Sequence, residues 1–330
     1  MKVGVAMLGH GTSLVDLAEA ARAAEAAGLH SVWVGEYHRN AYVSAAVIAQ
    51  ATSTVSIGTA IALAFPRSPL VTAMAALDLD ELSGGRFRLG LGSQVKGIIE
   101  RWHAGTFERP AKRLGEYAEA VRYAMERTEH PFAGDHYPMD LRGFDRPLTD
   151  TRPPVLIAGL GPLMVKTATR SADGLLGHML WSERYFDEVV RPALAQARPG
   201  FHCTVSVISA FDDDREAARA DARRTVGFYA ATGTYAGILA DDGFEKEAAR
   251  AREAFASRDL RGLEAAVPDE MLDMYAIAGD RDDFLRLMER RAARYDELIL
   301  VDAHYGTPQE RLAQHRAALL ENAPHLVGPW

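Results

Sequence analysis

Short apolar runs alternate with amphipathic segments along most of the chain. The first run covers residues 3–8, and in the segment 13–28 that follows it leucines and alanines recur on one face of a helix. Ser13 and Asp16 have the spacing of a capping box at the start of this segment, and Gly28 can supply the left-handed residue that ends it. This pattern predicts a strand followed by a helix.

The same strand and helix unit recurs through the chain. Further apolar runs that predict strands lie at 31–37, 55–64, 86–93, 154–161, 173–180, 201–211 and 297–304. Uninterrupted apolar strands followed by amphipathic helices are typical of a parallel sheet that helices cover. Eight such units favour a closed (β/α)8 TIM barrel, an α/β fold, over an open sheet. We expect residues 1–330 to form a single domain of this class.

Two segments depart from the repeat. Residues 127–154 form a long stretch rich in proline, glycine and aspartate between the fourth and fifth units. Residues 212–295 contain several helical patterns in series and no predicted strand, which indicates a helical insertion before the last strand. Insertions of this kind usually form lids or subunit contacts.

Composition narrows the class of protein. The chain is 48% hydrophobic and 25% charged, and its formal net charge is -8 with the acidic residues dispersed. A dispersed negative charge argues against a nucleic-acid partner. Cys203 is the single cysteine, so neither an intramolecular disulfide nor a cysteine metal cluster can form. Because we find no signal peptide and no run of membrane-spanning length, we expect a cytoplasmic protein without a membrane partner.

Candidate functional residues follow from the predicted barrel, because the site of such a barrel lies at the carboxyl ends of its strands. The residues at those ends are Gly9, His10, Glu36, Tyr37, His38, 60–66, Ser93, Gln94, Val95, 159–162, His178, Met179, Asp302, His304 and Tyr305. Taken singly, each histidine among them is more often a surface or packing residue than a ligand. Together they predict one mouth that polar side chains surround.

The segment 157–162, Ile-Ala-Gly-Leu-Gly-Pro, leads from a strand into a helix. Its small residues allow backbone N–H groups to converge on an anion at the helix N-terminus, or they simply allow a tight turn. Arg101, Lys96 and Lys166 are the nearest cations along the sequence. Since the chain has no motif of a metal site, a P-loop or a nucleophilic serine, we expect a cofactor to carry the chemistry, and an anionic one would suit this turn.

Several stretches resemble the luciferase-like group of flavin and deazaflavin oxidoreductases. They are VWVGEYH at 32–38, the segment 57–102, VLIAGLGP at 155–162, SADGLLG at 171–177 and DEMLDMYAIAGDRDDF at 269–284. One branch of this group uses coenzyme F420, a deazaflavin. The chain is similar to that branch in the motif ELSGGRF followed by LGLG, in AIALAFPRSP and in SQVKGIIER. The resemblance spans most of the chain.

The resemblance implies how the cofactor is held. In this family the third strand ends in a bulge with a non-proline cis peptide against the flavin-like ring, which by position is the Ala60-Ile61 bond here. The prolines of the segment 65–69 then fix how the chain leaves the bulge. The cofactor phosphate is assigned to the backbone amides of Ala158, Gly159, Leu160 and Gly161. The residues assigned to the ring or to the acidic tail of a deazaflavin are Ser93, Gln94 and Arg101.

The resemblance also places the acid or base after the second strand. Many relatives have an acidic residue followed directly by a histidine there, whereas this chain has Glu36, Tyr37 and His38. A tyrosine, with a reference pKa of about 10, is a poorer proton shuttle at neutral pH than a histidine. All three residues are therefore catalytic candidates, and His38 can substitute through a one-residue shift of the loop.

Three functions are compatible with this resemblance. The preferred one is hydride transfer between coenzyme F420 and a small organic substrate at the barrel mouth. The alternative is an FMN-dependent, two-component monooxygenase that uses reduced flavin, O2 and a separate flavin reductase; the third is a non-catalytic flavin-binding protein. Family habit also implies a homodimer formed by barrel helices. The sequence offers the apolar helix segment 70–79 for it, although that pattern also suits plain core packing. We expect no metal site.

Overall fold

The computed structural model describes residues 1–7, 12–126, 130–146 and 152–326. The strands in these ranges are β1 (Lys2–Met7), β2 (Ser31–Val34), β3 (Ser56–Thr59), β4 (Ala62–Leu63), β5 (Phe87–Gly92), β6 (Val155–Gly159), β7 (Gly174–Gly177), β8 (His202–Phe211), β9 (Ala276–Gly279) and β10 (Glu297–Asp302). Parallel pairing runs in the order β1, β2, β3, β5, β6, β7, β8 and β10, and β10 pairs back with β1. The closed eight-stranded barrel predicted from the sequence is confirmed, with β4 continuing the third strand alongside β5.

Helices follow the strands around the barrel. They are α1 (Leu14–Ala26), α2 (Ala41–Ala51), α3 (Pro69–Ser83), α4 (Lys96–Trp102), α5 (Pro110–Glu126), α6 (Pro162–Ser171), α7 (Glu183–Tyr185), α8 (Arg191–Leu194), α9 (Arg215–Ala231), α10 (Ala236–Asp241), α11 (Glu245–Ala256), α12 (Leu260–Ala265), α13 (Asp269–Tyr275), α14 (Arg281–Ala292) and α15 (Gln309–Leu326). A π-helical turn covers Phe186–Val190, and a 3-10 turn covers Gly233–Tyr235. In the described ranges, no helix combines the length and the apolar character needed to cross a membrane.

The capping residues predicted for the first helix lie at its two ends in the structure. Ser13 and Asp16 form both hydrogen bonds of the capping box, each at 3.1 Å, and Gly28 ends the turn with a φ of 82°. The repeating unit predicts one helix after the fourth barrel strand, but two helices, α4 and α5, follow it. Ala104 and Arg109 between them have φ values of 50° and 41°, which a continuous helix cannot contain.

The insertion before the last strand is helical, but it also contains a strand, so the expectation of a strand-free insertion is wrong. β9 pairs in parallel with Ile208–Phe211 at the end of β8, on the edge that β7 occupies nearer the start of β8. The four residues of β9 follow α13 directly, with no turn signal between them. Because a turn is what separates elements in a sequence pattern, this strand is hidden in the helical pattern.

Two clusters of buried side chains hold the barrel together. The larger one fills the space between the strands and the surrounding helices. The smaller one lies inside the barrel and consists of Ala6, Trp33, Leu156, Leu176, Ile299 and Val301. At the carboxyl ends of the strands this inner cluster is covered by Ala60, Ile61, Ala158 and Met179. The interior is therefore a packed core whose upper surface is the floor of the barrel mouth.

A buried carboxylate lies at the opposite end of the barrel, where β10 begins. The Glu297 side chain has no exposed surface and accepts hydrogen bonds from Arg88 at 2.5 Å, from the Trp33 indole at 3.1 Å and from the Ser31 hydroxyl. Burial alone would raise its pKa, but the His202 ring, whose Nε2 lies 3.5 Å from the carboxylate, the charge of Arg88 and the hydrogen bond from Ser31 lower the pKa to about 2. Glu297 is therefore an ionised group that joins β2, β5 and β10.

Candidate active site

A cavity of about 560 Å³ opens at the carboxyl ends of the barrel strands. Its lining consists of Gly35, Glu36, Tyr37, His38, Ala60, Ile61, Gln94, Val95, Ile98, Phe228, Tyr229, Thr232, Tyr235, His304 and Tyr305. The volume lies in the range of small-molecule and cofactor sites. The structure thus brings together candidates that follow the second, third, fourth and eighth barrel strands. The candidates Gly9 and His10 lie outside the described residues.

Glu36 is fastened to the segment that follows β3. Its backbone N–H donates to the Ile61 carbonyl at 2.9 Å, and its carboxylate accepts from the Leu63 N–H at 2.8 Å. Arg67 donates to both carboxylate oxygens, at 2.5 and 2.7 Å, and the Glu36 side chain is only 10% exposed. A carboxylate held by three charge-assisted hydrogen bonds is fixed in position. These contacts favour a positioning role for Glu36 over proton transfer.

Tyr37 and His38 line the open side of the cavity. The Tyr37 side chain is 47% exposed, and its ring lies 4.4 Å from the His38 ring in an edge-to-face arrangement and 5.1 Å from the Trp102 ring. Neither side chain is buried. Both can therefore reach a substrate in the cavity, and their assignment as acid or base stays a prediction.

The peptide bond between Ala60 and Ile61 is cis, and this expectation from the resemblance is confirmed. The bond lies between β3 and β4, so the third strand is interrupted at the cavity floor. A Cβ on Gly92 would lie 2.0 Å from Ile61 Cδ1. Steric room therefore explains why the last position of the LGLG motif is a glycine. A side chain at position 92 would displace Ile61 from the floor.

The structure separates the three residues that were assigned to the ring and the tail of the cofactor. Gln94 lines the cavity in a left-handed conformation, with a φ of 59°, which is uncommon for a residue other than glycine and is often found at functional sites. Ser93 donates to the Gln94 carbonyl at 3.2 Å and is not part of the lining. Arg101 is exposed on α4, where its Nε donates to the Gly97 carbonyl at 3.0 Å. The cofactor roles of all three stay predictions.

The turn before α6 is open to an anion. Gly161 is the N-cap residue of α6, with Pro162 in the first turn, and no side chain caps this helix. The Leu160 carbonyl is fixed by hydrogen bonds from the Trp181 indole at 3.1 Å and the Tyr185 hydroxyl at 2.7 Å. A Cβ built on Gly161 meets no atom within 4 Å. The uncapped helix N-terminus therefore faces free space, as an anion site requires.

A second cavity of about 300 Å³ borders this turn. Its lining consists of Leu160, Gly161, Pro162, Arg184, Tyr185, Glu188, Val189, Thr234, Gly237, Ile238 and Asp241. The two cavities are neighbours along the chain, because Thr232 and Tyr235 line the larger one while Thr234 lines the smaller one. The 3-10 turn Gly233–Tyr235 therefore borders both cavities.

The insertion contributes four residues to the larger cavity that were not among the candidates from the sequence, namely Phe228, Tyr229, Thr232 and Tyr235. Aromatic residues at 228, 229 and 235 stand at the end of a helix that is otherwise rich in alanine and arginine, and this contrast was a usable signal. Within the described part of the chain, no three His, Cys, Asp or Glu side chains are grouped to hold a metal ion.

Two histidines near the insertion residues, His178 and His304, are uncharged at neutral pH. Burial lowers the pKa of His178 to about 4, and its ring lies 4.7 Å from the Tyr235 ring. Burial also lowers the pKa of His304, whose Nδ1 donates to the Asp302 carbonyl at 3.1 Å. A neutral imidazole adds no positive charge to the cavity.

Comparison with known proteins gives concordant results. Residues 1–297 match the family described as luciferase-like monooxygenase. An uncharacterized protein of Mycobacterium tuberculosis is 31% identical over 304 residues, which cover 87% of this chain and 89% of that protein. A 5,10-methylenetetrahydromethanopterin reductase of Archaeoglobus fulgidus is 29% identical over 289 residues, covering 84% and 86%. The solved coenzyme F420-dependent tetrahydromethanopterin reductase of Methanopyrus kandleri shares the fold, with a TM-score of 0.80 at 19% identity over 98% of this chain and 99% of that one.

Proposed function

Because the chain belongs to the luciferase-like monooxygenase family, we propose that it is an oxidoreductase that transfers a hydride between coenzyme F420 and a small organic substrate. The observation that carries the proposal is the cavity at the barrel mouth, where the segment 36–38, the Ala60-Ile61 bulge and Gln94 line one space. The similarity to a methylenetetrahydromethanopterin reductase supports reductase chemistry. When bound, F420 would supply the hydride-carrying ring, and the protein supplies its position and its surroundings.

The chain's own residues fit such a cofactor. Ala60 and Ile61 form an apolar floor against which a flat ring can pack, and Gly92 leaves the room that the Ile61 side chain needs. The N-terminus of α6 at Gly161 would accept the phosphate through backbone N–H groups. The smaller cavity beside it would hold the polar chain that joins phosphate and ring.

The proton that accompanies hydride transfer needs an acid or base at the mouth. We assign this role to His38, with Tyr37 as the second candidate, since both line the cavity beside the bulge. Glu36, bound to Arg67 and to the Leu63 N–H, would hold the loop that carries them at a fixed distance from the floor. The insertion residues would close the cavity against water, which strengthens electrostatic interactions inside it.

Titration of the purified protein with F420 and, in parallel, with FMN tests this proposal. We expect F420 to bind at least about tenfold more tightly than FMN. A Gly161→Ala variant should lose about tenfold in affinity for both cofactors, because its methyl group points into open space that the phosphate would occupy and disturbs no neighbour. An unchanged melting temperature of this variant controls for folding.

Other outcomes of the titration would redirect the proposal. Tight FMN binding with weak F420 binding would favour the alternative function, an FMN-dependent monooxygenase. That enzyme would consume O2 when a flavin reductase is present. Equal affinity of wild type and Gly161→Ala for F420 would show that the cofactor phosphate does not bind at the N-terminus of α6. F420 that binds but is never reduced or oxidised by any substrate would indicate a non-catalytic binding protein.

We further propose that the protein is a homodimer formed through α2 and α3, which pack against each other. Val43 on α2 is 50% exposed, and Val71 and Met74 on α3 are 55% and 38% exposed, so an apolar surface spans both helices. Wild type should sediment at twice the mass of one chain, and Met74→Glu should sediment as a monomer because burying an unpaired charge is unfavourable. Leu260→Glu, at a similarly exposed position on α12, should leave the dimer intact. A monomeric wild type would contradict the proposal.

A further inference from the structure

The insertion and the loop after β10 give the larger cavity a wall of aromatic rings. We call this the aromatic wall, and its members are Phe228, Tyr229, Tyr235, His304 and Tyr305. The rings contact one another: Phe228 and Tyr305 are stacked at 4.3 Å with an angle of 13°, and Tyr229 lies 5.8 Å from Tyr235 and 6.3 Å from His304. These separations are those of favourable aromatic pairs. The wall is thus one connected surface.

The aromatic wall is held in place from behind. The backbone N–H of Tyr305 donates to the Thr225 hydroxyl at 3.0 Å, which ties the loop after β10 to α9. His178 packs against Tyr229 and Tyr235 with ring separations of 5.9 and 4.7 Å, and its Nδ1 accepts from the Leu180 N–H at 3.2 Å. A wall supported in this way is formed before any ligand binds, so little ordering has to accompany binding.

The larger cavity has little charge to offer a substrate. Its described lining contains neither lysine nor arginine. The one carboxylate in that lining, Glu36, is already paired with Arg67. Burial keeps the imidazoles of His178 and His304 neutral, and burial raises the pKa of the Tyr229 hydroxyl, so that hydroxyl stays protonated. Apart from His38, which the proposed function uses for proton transfer, the lining therefore offers a substrate anion no counter-charge, and the loss of the anion's hydration would be costly.

We propose, on the basis of the proposed function above, that the aromatic wall selects a neutral substrate that carries an aromatic ring. The ring of the substrate packs against the wall, while the bulge at Ala60-Ile61 carries the cofactor ring. The Thr232 hydroxyl, within the same lining, can hydrogen-bond a neutral polar group of the substrate. Carboxylates, phosphates and saturated compounds of the same size bind less well.

Three probes of similar size test the class of substrate. They are 2-naphthalenemethanol, which is neutral and aromatic, 2-naphthoate, which keeps the ring but is anionic, and decahydro-2-naphthol, which is neutral and saturated. Each is titrated by calorimetry into the wild-type protein with F420 and without it. We expect 2-naphthalenemethanol to bind about tenfold more tightly than either other probe. Naphthoate that binds as tightly, or a saturated probe that binds as tightly, would overturn the proposal.

Matched variants test whether the aromatic wall is the part of the protein that distinguishes the three probes. Tyr235→Leu removes a ring of the aromatic wall and should weaken 2-naphthalenemethanol about tenfold while the dissociation constant of F420 stays the same. Phe255→Leu is the control, because the Phe255 ring lies 5.9 Å from Tyr305 but is 41% exposed and does not line the cavity. An equal loss of F420 and probe affinity in Tyr235→Leu would assign the wall to the cofactor and overturn the proposal.

Failure of the proposed function is separable from failure of this inference. Absence of F420 binding to wild type would reject the F420-dependent function. The series without F420 would still test the inference, because the aromatic wall and the weakly charged lining that set the order of the three probes belong to the protein itself. Loss of that order in the cofactor-free protein would reject the inference even if F420 binds tightly.

Discussion

A His38→Ala protein is expected to turn over about 10²- to 10⁴-fold more slowly than wild type, which is the usual contribution of general acid or base catalysis. The dissociation constant of F420 should stay within about twofold, because the substitution leaves the floor at Ala60 and Ile61 and the helix N-terminus at Gly161 unchanged. The measurements are F420 fluorescence titration for binding and the absorbance change of F420 for turnover. Added imidazole should restore part of the activity.

Two comparison variants make the result specific to His38. His136→Ala replaces another exposed histidine that does not line the cavity, and it should behave as wild type. Tyr37→Phe removes only the hydroxyl and keeps the ring that lies 4.4 Å from the His38 ring. A large loss of turnover in Tyr37→Phe with normal turnover in His38→Ala would transfer the proton role to Tyr37. Equal losses of turnover and F420 affinity in His38→Ala would exclude a catalytic role for this residue.

A Glu297→Gln protein is expected to lose about 3 kcal/mol of unfolding free energy at neutral pH, because it leaves the Arg88 charge buried without its partner. Denaturant-induced unfolding of both proteins measures the difference. Since Glu297 lies at the end of the barrel away from the mouth, kcat at low temperature should be unaffected. Glu216→Gln breaks an ion pair whose carboxylate is 71% exposed, and it should change the stability little.

The stabilisation by Glu297 should depend on pH in a defined direction. Its pKa is about 2 in the folded protein, below the ordinary value of 4.5. A group with a lowered pKa stabilises the fold above its unfolded pKa, and this contribution disappears as the pH falls. The stability difference between wild type and Glu297→Gln should therefore be constant above about pH 5 and shrink between about pH 4.5 and 2. A difference that does not change over that interval would show that folding does not lower the pKa of Glu297.

The site shows where sequence reasoning stops. The order of strands places Glu36, Tyr37 and His38 at the mouth, because all three follow a predicted strand. The sequence does not separate their roles. Arg67 is 31 positions away from Glu36, and only the folded chain brings its guanidinium to that carboxylate. The same holds for Arg101, whose charge suggests a cofactor contact but whose Nε donates within its own helix.

By itself, the sequence determined the eight strand and helix units, the caps at Ser13 and Gly28, and a barrel mouth at the strand ends. These features depend on hydrophobic periodicity and on hydrogen bonds between residues three or four positions apart, so a short segment contains all the information they need. Tertiary structure alone decided the buried contacts of Glu297, the pairing of β9 with β8 and the aromatic wall. Each of these joins residues far apart along the chain, and such contacts exist only once barrel closure has fixed which strand ends and which insertion helices meet.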